Sequence, residues 1–90
     1  MTTPRSEPRP AKDLPSIWQL KVFEAVARHE SVTKASTELL RSQPAITSCL
    51  AEFESLLGIT LLERSTTGTY LTPAGVAALV RTRRILQAAK

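Results

Sequence analysis

A mainly α chain with one short β-hairpin is predicted by three observations. Apolar residues recur at three- and four-residue spacing in four segments, each preceded by a serine or threonine suited to cap a helix. The second and third of these segments are short and separated by only a few residues. Between the third and fourth, β-branched and aromatic residues flank a turn that contains Gly68.

Met1 to Asp13 holds Pro4, Pro8 and Pro10 among charged residues and no large apolar residue after Met1. It cannot bury enough surface to order itself and is expected to be a disordered tail. Arg5, Arg9 and Lys12 would let it act as a basic arm, but Glu7 and Asp13 partly offset them. Order is expected from Leu14. Ser16 with Gln19 three residues on makes a capping box. Ile17, Leu20, Phe23 (or Glu24) and Ala27 then follow at helical spacing, and Val22 and Val26 widen the stripe. This helix should end near Arg28–Glu30. Ser31 caps a second helix over about 32–40, with Ala35, Leu39 and Leu40 inward.

After the Arg41-Ser42 turn, Ser42 caps a third helix reaching Leu57. Pro44 lies in its first turn, where a missing N–H costs little. Ile46, Leu50, Phe53 and Leu57 form its buried face, and Gly58 ends it. Residues 60–71 form the hairpin, and Thr72-Pro73 caps a long final helix. Three helices, a two-stranded wing and a long last helix make a winged helix-turn-helix, with the helix-turn-helix over about 32–51 and the last helix over 73–90.

The composition excludes several function classes. Ninety residues suit one small domain with no room for a large cleft. Aromatics at 4% provide no stacking surface for single-stranded nucleic acid. One cysteine, Cys49, makes neither an internal disulfide nor a metal site, which suits a reducing cytoplasm. No apolar run approaches the roughly 18 residues of a membrane span, and the first 13 residues lack the apolar core of a signal peptide. No nucleophile–base pair, carboxylate pair, metal-ligand cluster or glycine-rich phosphate loop is present, so neither an enzyme nor a resident cofactor is expected.

The net charge of +4 is unevenly spread. The five cations Lys21, Arg28, Lys34, Arg41 and Arg64 of residues 14–72 are outnumbered by Glu24, Glu30, Glu38, Glu52, Glu54 and Glu63. Arg81, Arg83, Arg84 and Lys90 follow with no acid among them. An electrostatic footprint on a nucleic acid must therefore come from a few placed cations.

At these residues the chain resembles the N-terminal domain of LysR-type transcriptional regulators. The resemblance is carried by Leu20 and Phe23, Ser31-Val32-Thr33-Lys34-Ala35, Leu39, Ser42-Gln43-Pro44-Ala45-Ile46-Thr47, Phe53-Glu54, Leu57-Gly58, Leu61-Leu62-Glu63-Arg64 and Leu71-Thr72-Pro73-Ala74-Gly75. It covers about 14–88. It implies a dimeric double-stranded DNA-binding domain that pairs through its last helix. In the family a larger domain that binds a small-molecule effector follows, so this chain is expected to be the DNA-binding part. Ser36, Glu30, Ser48, Cys49, Thr67 and Tyr70 depart from the family pattern, the last four at positions that often carry arginine or glutamine.

With Ile46, Leu50 and Phe53 inward, the opposite face of the third helix carries Gln43, Pro44, Thr47, Ser48 and Ala51. Such a face is either merely solvated or short enough to enter the major groove, and the resemblance favours the second. Gln43 is suited to adenine, Pro44 and Ala45 to thymine methyl groups, and Thr47 and Ser48 to less discriminating hydrogen bonds. No cation on this face grips guanine, so A·T steps and DNA shape should be favoured. Ser31, Thr33 and Ser42 at helix starts, with Lys34, are the candidate phosphate contacts, joined by Arg64, Thr66 and Thr67 at the wing. Arg64 can equally pair with Glu63 or another acid, and Arg41 is open between contact and structure.

The last helix has more apolar positions than one stripe needs. Ala77, Val80 and Ile85, with Trp18 and Val22 of the first helix, are the candidate homodimer surface, and a two-fold pair would select an inverted repeat with half-sites about 34 Å or more apart. The alternative is a winged-helix protein-interaction module that does not bind specific DNA. His29 is read as a helix C-terminal dipole partner and Cys49 as a packing residue.

Overall fold

The computed structural model describes residues 14–89, so the expected disordered tail over 1–13 and residue 90 lie outside the described residues. In chain order the elements are α1 (Ile17–His29), α2 (Val32–Leu39), α3 (Gln43–Leu57), β1 (Leu62–Ser65), β2 (Gly68–Leu71) and α4 (Pro73–Ala88).

Each helix begins where its cap was expected. At α1 the Ser16 hydroxyl accepts from the Gln19 amide and the Gln19 side chain accepts from the Ser16 amide, closing the capping box. Ser31 Oγ accepts from Lys34 N, Ser42 Oγ from Ala45 N and Thr72 Oγ1 from Gly75 N. The ends are less uniform. Gly58 closes α3 at φ 74°, but α1 and α2 end on non-glycine residues in the left-handed region, Glu30 at φ 53° and Leu40 at φ 58°.

The core centres on α1. It packs against α2, α3, α4 and β2, and therefore buries Leu20, Val22, Phe23, Ala25, Val26 and Ala27, much more than one stripe. Phe23 and Phe53 meet at a ring-centroid distance of 5.5 Å and 50° between planes, with Ile46 and Leu61 also fully enclosed. Three expected core residues are not enclosed. Leu40 is 83% exposed, because α2 stops at Leu39 and the left-handed cap turns its side chain out. Leu57 and Ile17, each at a helix terminus, are 40% and 43% exposed.

The wing is an antiparallel pair in the register Leu62↔Leu71, Glu63↔Tyr70, Arg64↔Thr69 and Ser65↔Gly68. Its base is closed by Thr72, whose amide donates to Leu61 O at 2.9 Å and whose hydroxyl donates to Thr60 O at 2.7 Å. Its entry is pinned by Glu54, whose Oε2 accepts from the amides of Leu61 (2.7 Å) and Leu62 (3.0 Å). Its returning strand is tied to the α1–α2 turn, where Thr69 N donates to Glu30 O. The hairpin is thus a rigid extension of the helical core rather than a free loop.

Candidate nucleic-acid interface

The starts of α2 and α3 and the whole wing tip border one open cleft of about 530 Å³. His29 to Lys34 line it from the α1–α2 corner, Gln43 from the head of α3, and Arg64 to Tyr70 from the wing. The cleft brings together Ser31, Thr33, Lys34, Gln43, Arg64, Thr66 and Thr67, seven of the expected contact residues drawn from three elements. Pro44, Ala45, Thr47 and Ser48 continue from Gln43 along α3, all exposed, while Ile46 and Leu50 hold the opposite side in the core. Ser42 is exposed at the cap that starts α3.

Two features of this surface bear on anions. Helices α2 and α3 both begin at its edge, and a helix start carries partial positive charge. Lys34 and Arg64 have no carboxylate partner among the described residues. Arg64 instead donates from Nη2 to Thr47 Oγ1 at 2.7 Å, so the wing arginine lies against α3 and pairs with neither Glu63 nor any other acid among the described residues. Thr67 is also engaged. Its Oγ1 accepts from the Tyr70 hydroxyl at 2.9 Å and lies 3.1 Å from Ser65 Oγ, while its amide donates to Ser65 Oγ. These bonds set the shape of the wing tip.

The departures from the family pattern have local explanations at two positions. Ser36 is buried but its hydroxyl donates to Thr33 O at 2.8 Å, so it fits where an apolar residue would. Cys49 is half-buried against the core, and burial, with a smaller push from Glu52, raises its thiol above the ordinary range and keeps it protonated. It packs as expected.

The expected homodimer surface is only partly available. Val80 and Ile85 are 50% and 47% exposed, and Ala77 is exposed beside them. Val22 is 0% exposed and faces no partner, because α1 is covered on nearly all sides. Trp18 is partly exposed, but the Arg41 guanidinium from the α2–α3 turn sits 4.9 Å from its ring centroid, which gives Arg41 a structural role.

Sequence reasoning missed a charged seam that joins α1, α2 and α4. Arg28 donates to Glu24 and, through both terminal nitrogens, to Glu38 at 2.9 Å. His29 Nε2 lies 2.6 Å from Glu38 Oε1, so His29 bridges to α2 in addition to sitting at the C-terminal end of α1. Arg83 of α4 reaches Glu24 at 3.4 Å. Hydrogen bonds from Arg28, and then His29, hold Glu38 down to about 2; hydrogen bonding to Arg28 lowers Glu24 despite its partial burial. Only Glu24–Arg28, at helical i,i+4 spacing, could have been found from sequence.

A three-helix core with a short-sided third helix and a docked two-stranded wing defines a winged helix-turn-helix domain. The model of the bacterial regulatory helix-turn-helix proteins of the lysR family matches residues 17–76, and the chain belongs to that family. It is 40% identical over 72 residues to the probable hydrogen peroxide-inducible genes activator of Streptomyces viridosporus, covering 80% of this chain and 23% of that protein. It is 48% identical over 60 residues to the RuBisCO operon transcriptional regulator of Allochromatium vinosum, covering 67% of this chain and 20% of that protein. The chain thus spans about a fifth to a quarter of the length of these relatives. A crystal structure of the CbnR DNA-binding domain in complex with DNA superposes with a TM-score of 0.80 at 46% identity, covering 82% of this chain and 85% of that one.

Proposed function

We propose that this chain is the DNA-binding domain of a bacterial transcriptional regulator and binds double-stranded DNA sequence-specifically, without catalysis. The observation that carries the reading is the cleft, where two helix starts, a short-sided exposed helix face and two cations without a salt bridge among the described residues, Lys34 and Arg64, meet on one side. The CbnR domain, similar over 82% of this chain, is seen in complex with DNA, which supports the same partner here.

In this reading α3 enters the major groove. Gln43 makes paired hydrogen bonds to an adenine edge, Pro44 and Ala45 pack on thymine methyl groups, and Ser48 adds a hydrogen bond. Ser31, Thr33, Lys34 and Ser42 hold phosphates, and Arg64, Thr66 and Thr67 bring the wing to the backbone or minor groove. Residues 14–72 form the reading domain and 73–90 the pairing helix. Ala77, Val80 and Ile85 meet a second copy, without Val22, and the operator is an inverted repeat. The protein works in the cytoplasm, where its DNA is, and an effector acts on another part of the regulator.

The test is selection from a pool of random-sequence duplexes, followed by titration of the enriched site at two salt concentrations. An inverted repeat is expected, with log affinity falling linearly as log salt rises. Gln43→Ala should lose the preference at one position of each half-site. If no site is enriched and weak binding ignores both sequence and salt, the fold serves as a protein-interaction module instead.

A further inference from the structure

We infer that Thr47 is the positioning residue for Arg64, and that the pair presents one guanidinium to adjacent acceptor atoms on DNA. The inference rests on the DNA-binding reading above and deepens it. The two residues are 17 apart in sequence and belong to different elements, yet Arg64 Nη2 donates to Thr47 Oγ1 at 2.7 Å. Thr47 stands one helical turn beyond Gln43 on the exposed side of α3, so the bond carries the wing arginine onto the stripe that faces the groove.

The chemistry of both partners favours this division of labour. Guanidinium has five N–H donors in a fixed plane, and the bond to Thr47 uses one. No carboxylate neutralises the rest among the described residues. What remains is a planar pair of donors that matches two oxygens of one phosphate or, because the bond draws Arg64 onto α3, guanine O6 and N7 in the major groove rather than a minor-groove edge. Thr47 spends an acceptor on Arg64 and fixes a long, otherwise mobile side chain before binding, which lowers the ordering cost of the complex. The helix face lacks a cation of its own, and the wing supplies one. Thr47 therefore acts through Arg64 rather than as an independent base reader.

The experiment compares the wild-type chain with Thr47→Val, Thr47→Ser, Arg64→Ala and the Thr47→Val/Arg64→Ala double variant. Each is taken through selection on random-sequence duplexes and titration against the wild-type site. Thr47→Val keeps shape and removes the acceptor; Thr47→Ser keeps the acceptor. Thr47→Val and Arg64→Ala should each weaken the site about tenfold, as losing one bidentate contact does, and the double variant should be no weaker than Arg64→Ala alone. Thr47→Ser should match wild type. If both single variants lose preference at the same G·C position, the acceptors are a guanine edge. If both instead weaken all sequences and reduce the salt slope by about one, they are a phosphate. Either pattern supports the unit. Multiplying penalties in the double variant, or an unchanged Thr47→Val, would overturn it while wild-type binding stands. Failure of the wild-type chain to bind any duplex in a salt-dependent way overturns the DNA-binding reading itself.

Discussion

Two groups of basic side chains in this domain sit in different settings. Where α1 meets α2 and α4, Arg28 and Arg83 pair with the carboxylates of Glu24 and Glu38, and the His29 imidazole lies against Glu38. In the cleft, Lys34 and Arg64 form no salt bridge among the described residues, although Glu30 lines the same cleft. Glu54 is committed as well, to the two backbone amides that open the wing. The excess of acid over base in residues 14–72 is therefore no argument against an anionic partner. Three of its six glutamates are occupied in joining elements, and the cleft at the starts of α2 and α3 holds two cations, Lys34 and Arg64, without a salt bridge among the described residues. Net charge averages over the two settings; only the pairing separates them.

The largest expected effect tests whether the cleft depends on the packing beneath the wing. A Cβ on Gly75 would lie 2.1 Å from Leu61 O and 2.9 Å from Leu71 Cδ2, where α4 crosses both ends of the wing. Gly75→Val should cost about 3 kcal/mol, seen as a lower urea midpoint, because backbone cannot yield as a side-chain tip does. Unchanged stability would mean that the wing is not held from below.

Next comes a direct contrast of the two charge settings. Lys34→Glu should weaken binding of duplex DNA about tenfold or more at low salt, since it removes the proposed phosphate partner and adds a repelling charge. Arg83→Glu makes the same change of two charges at the seam and should leave affinity within about twofold, with only a few tenths of a kcal/mol lost from a solvent-exposed pair. Equal losses in a titration at fixed salt would erase the distinction.

A smaller effect belongs to the seam alone. Glu38 titrates at about 2 in the folded chain, below the roughly 4.3 of an unperturbed glutamate, so its pairing stabilises above pH ~4.3 and is lost as pH falls toward ~2. The difference in thermal midpoint between wild type and Glu38→Gln should therefore be greatest above pH 5 and shrink below 4. The pair is well exposed, so the difference is modest at any pH. A gap that stays constant across this range would show that the carboxylate charge contributes nothing.

What the sequence made legible follows the range of the interactions. Helix starts were readable because Ser16, Ser31, Ser42 and Thr72 act on amides three residues away. The exposed face of α3 was readable because Ile46, Leu50 and Phe53 fix the opposite face. The burial of Val22 was not, because it depends on how many elements crowd α1. The Arg64–Thr47 bond and the grip of Arg28 and His29 on Glu38 were not, because nothing local marks a partner 9 to 17 residues away. Leu40 was misplaced because the turn has no glycine to announce its left-handed residue.

The two left-handed non-glycine residues give the finest test. Glu30 and Leu40 share nearly the same backbone conformation, at φ 53° and 58°, and each ends a helix. Replacing either by glycine relieves roughly 1–2 kcal/mol of steric cost and loses about 0.5–1 kcal/mol to the freer unfolded chain, so both should raise stability by no more than about 1.5 kcal/mol. The Glu30 carbonyl still accepts from Thr69 after the change, because that bond is backbone to backbone. In DNA binding the two should part. Glu30 lines the cleft and its carboxylate repels phosphate there, so Glu30→Gly should tighten binding a few-fold at low salt and lose that gain at high salt. Leu40 lies outside the cleft lining and carries no charge, so Leu40→Gly should leave affinity unchanged. Equal thermal gains with unequal affinities would place the boundary between the two settings at the α1–α2 corner; equal affinities would move it away.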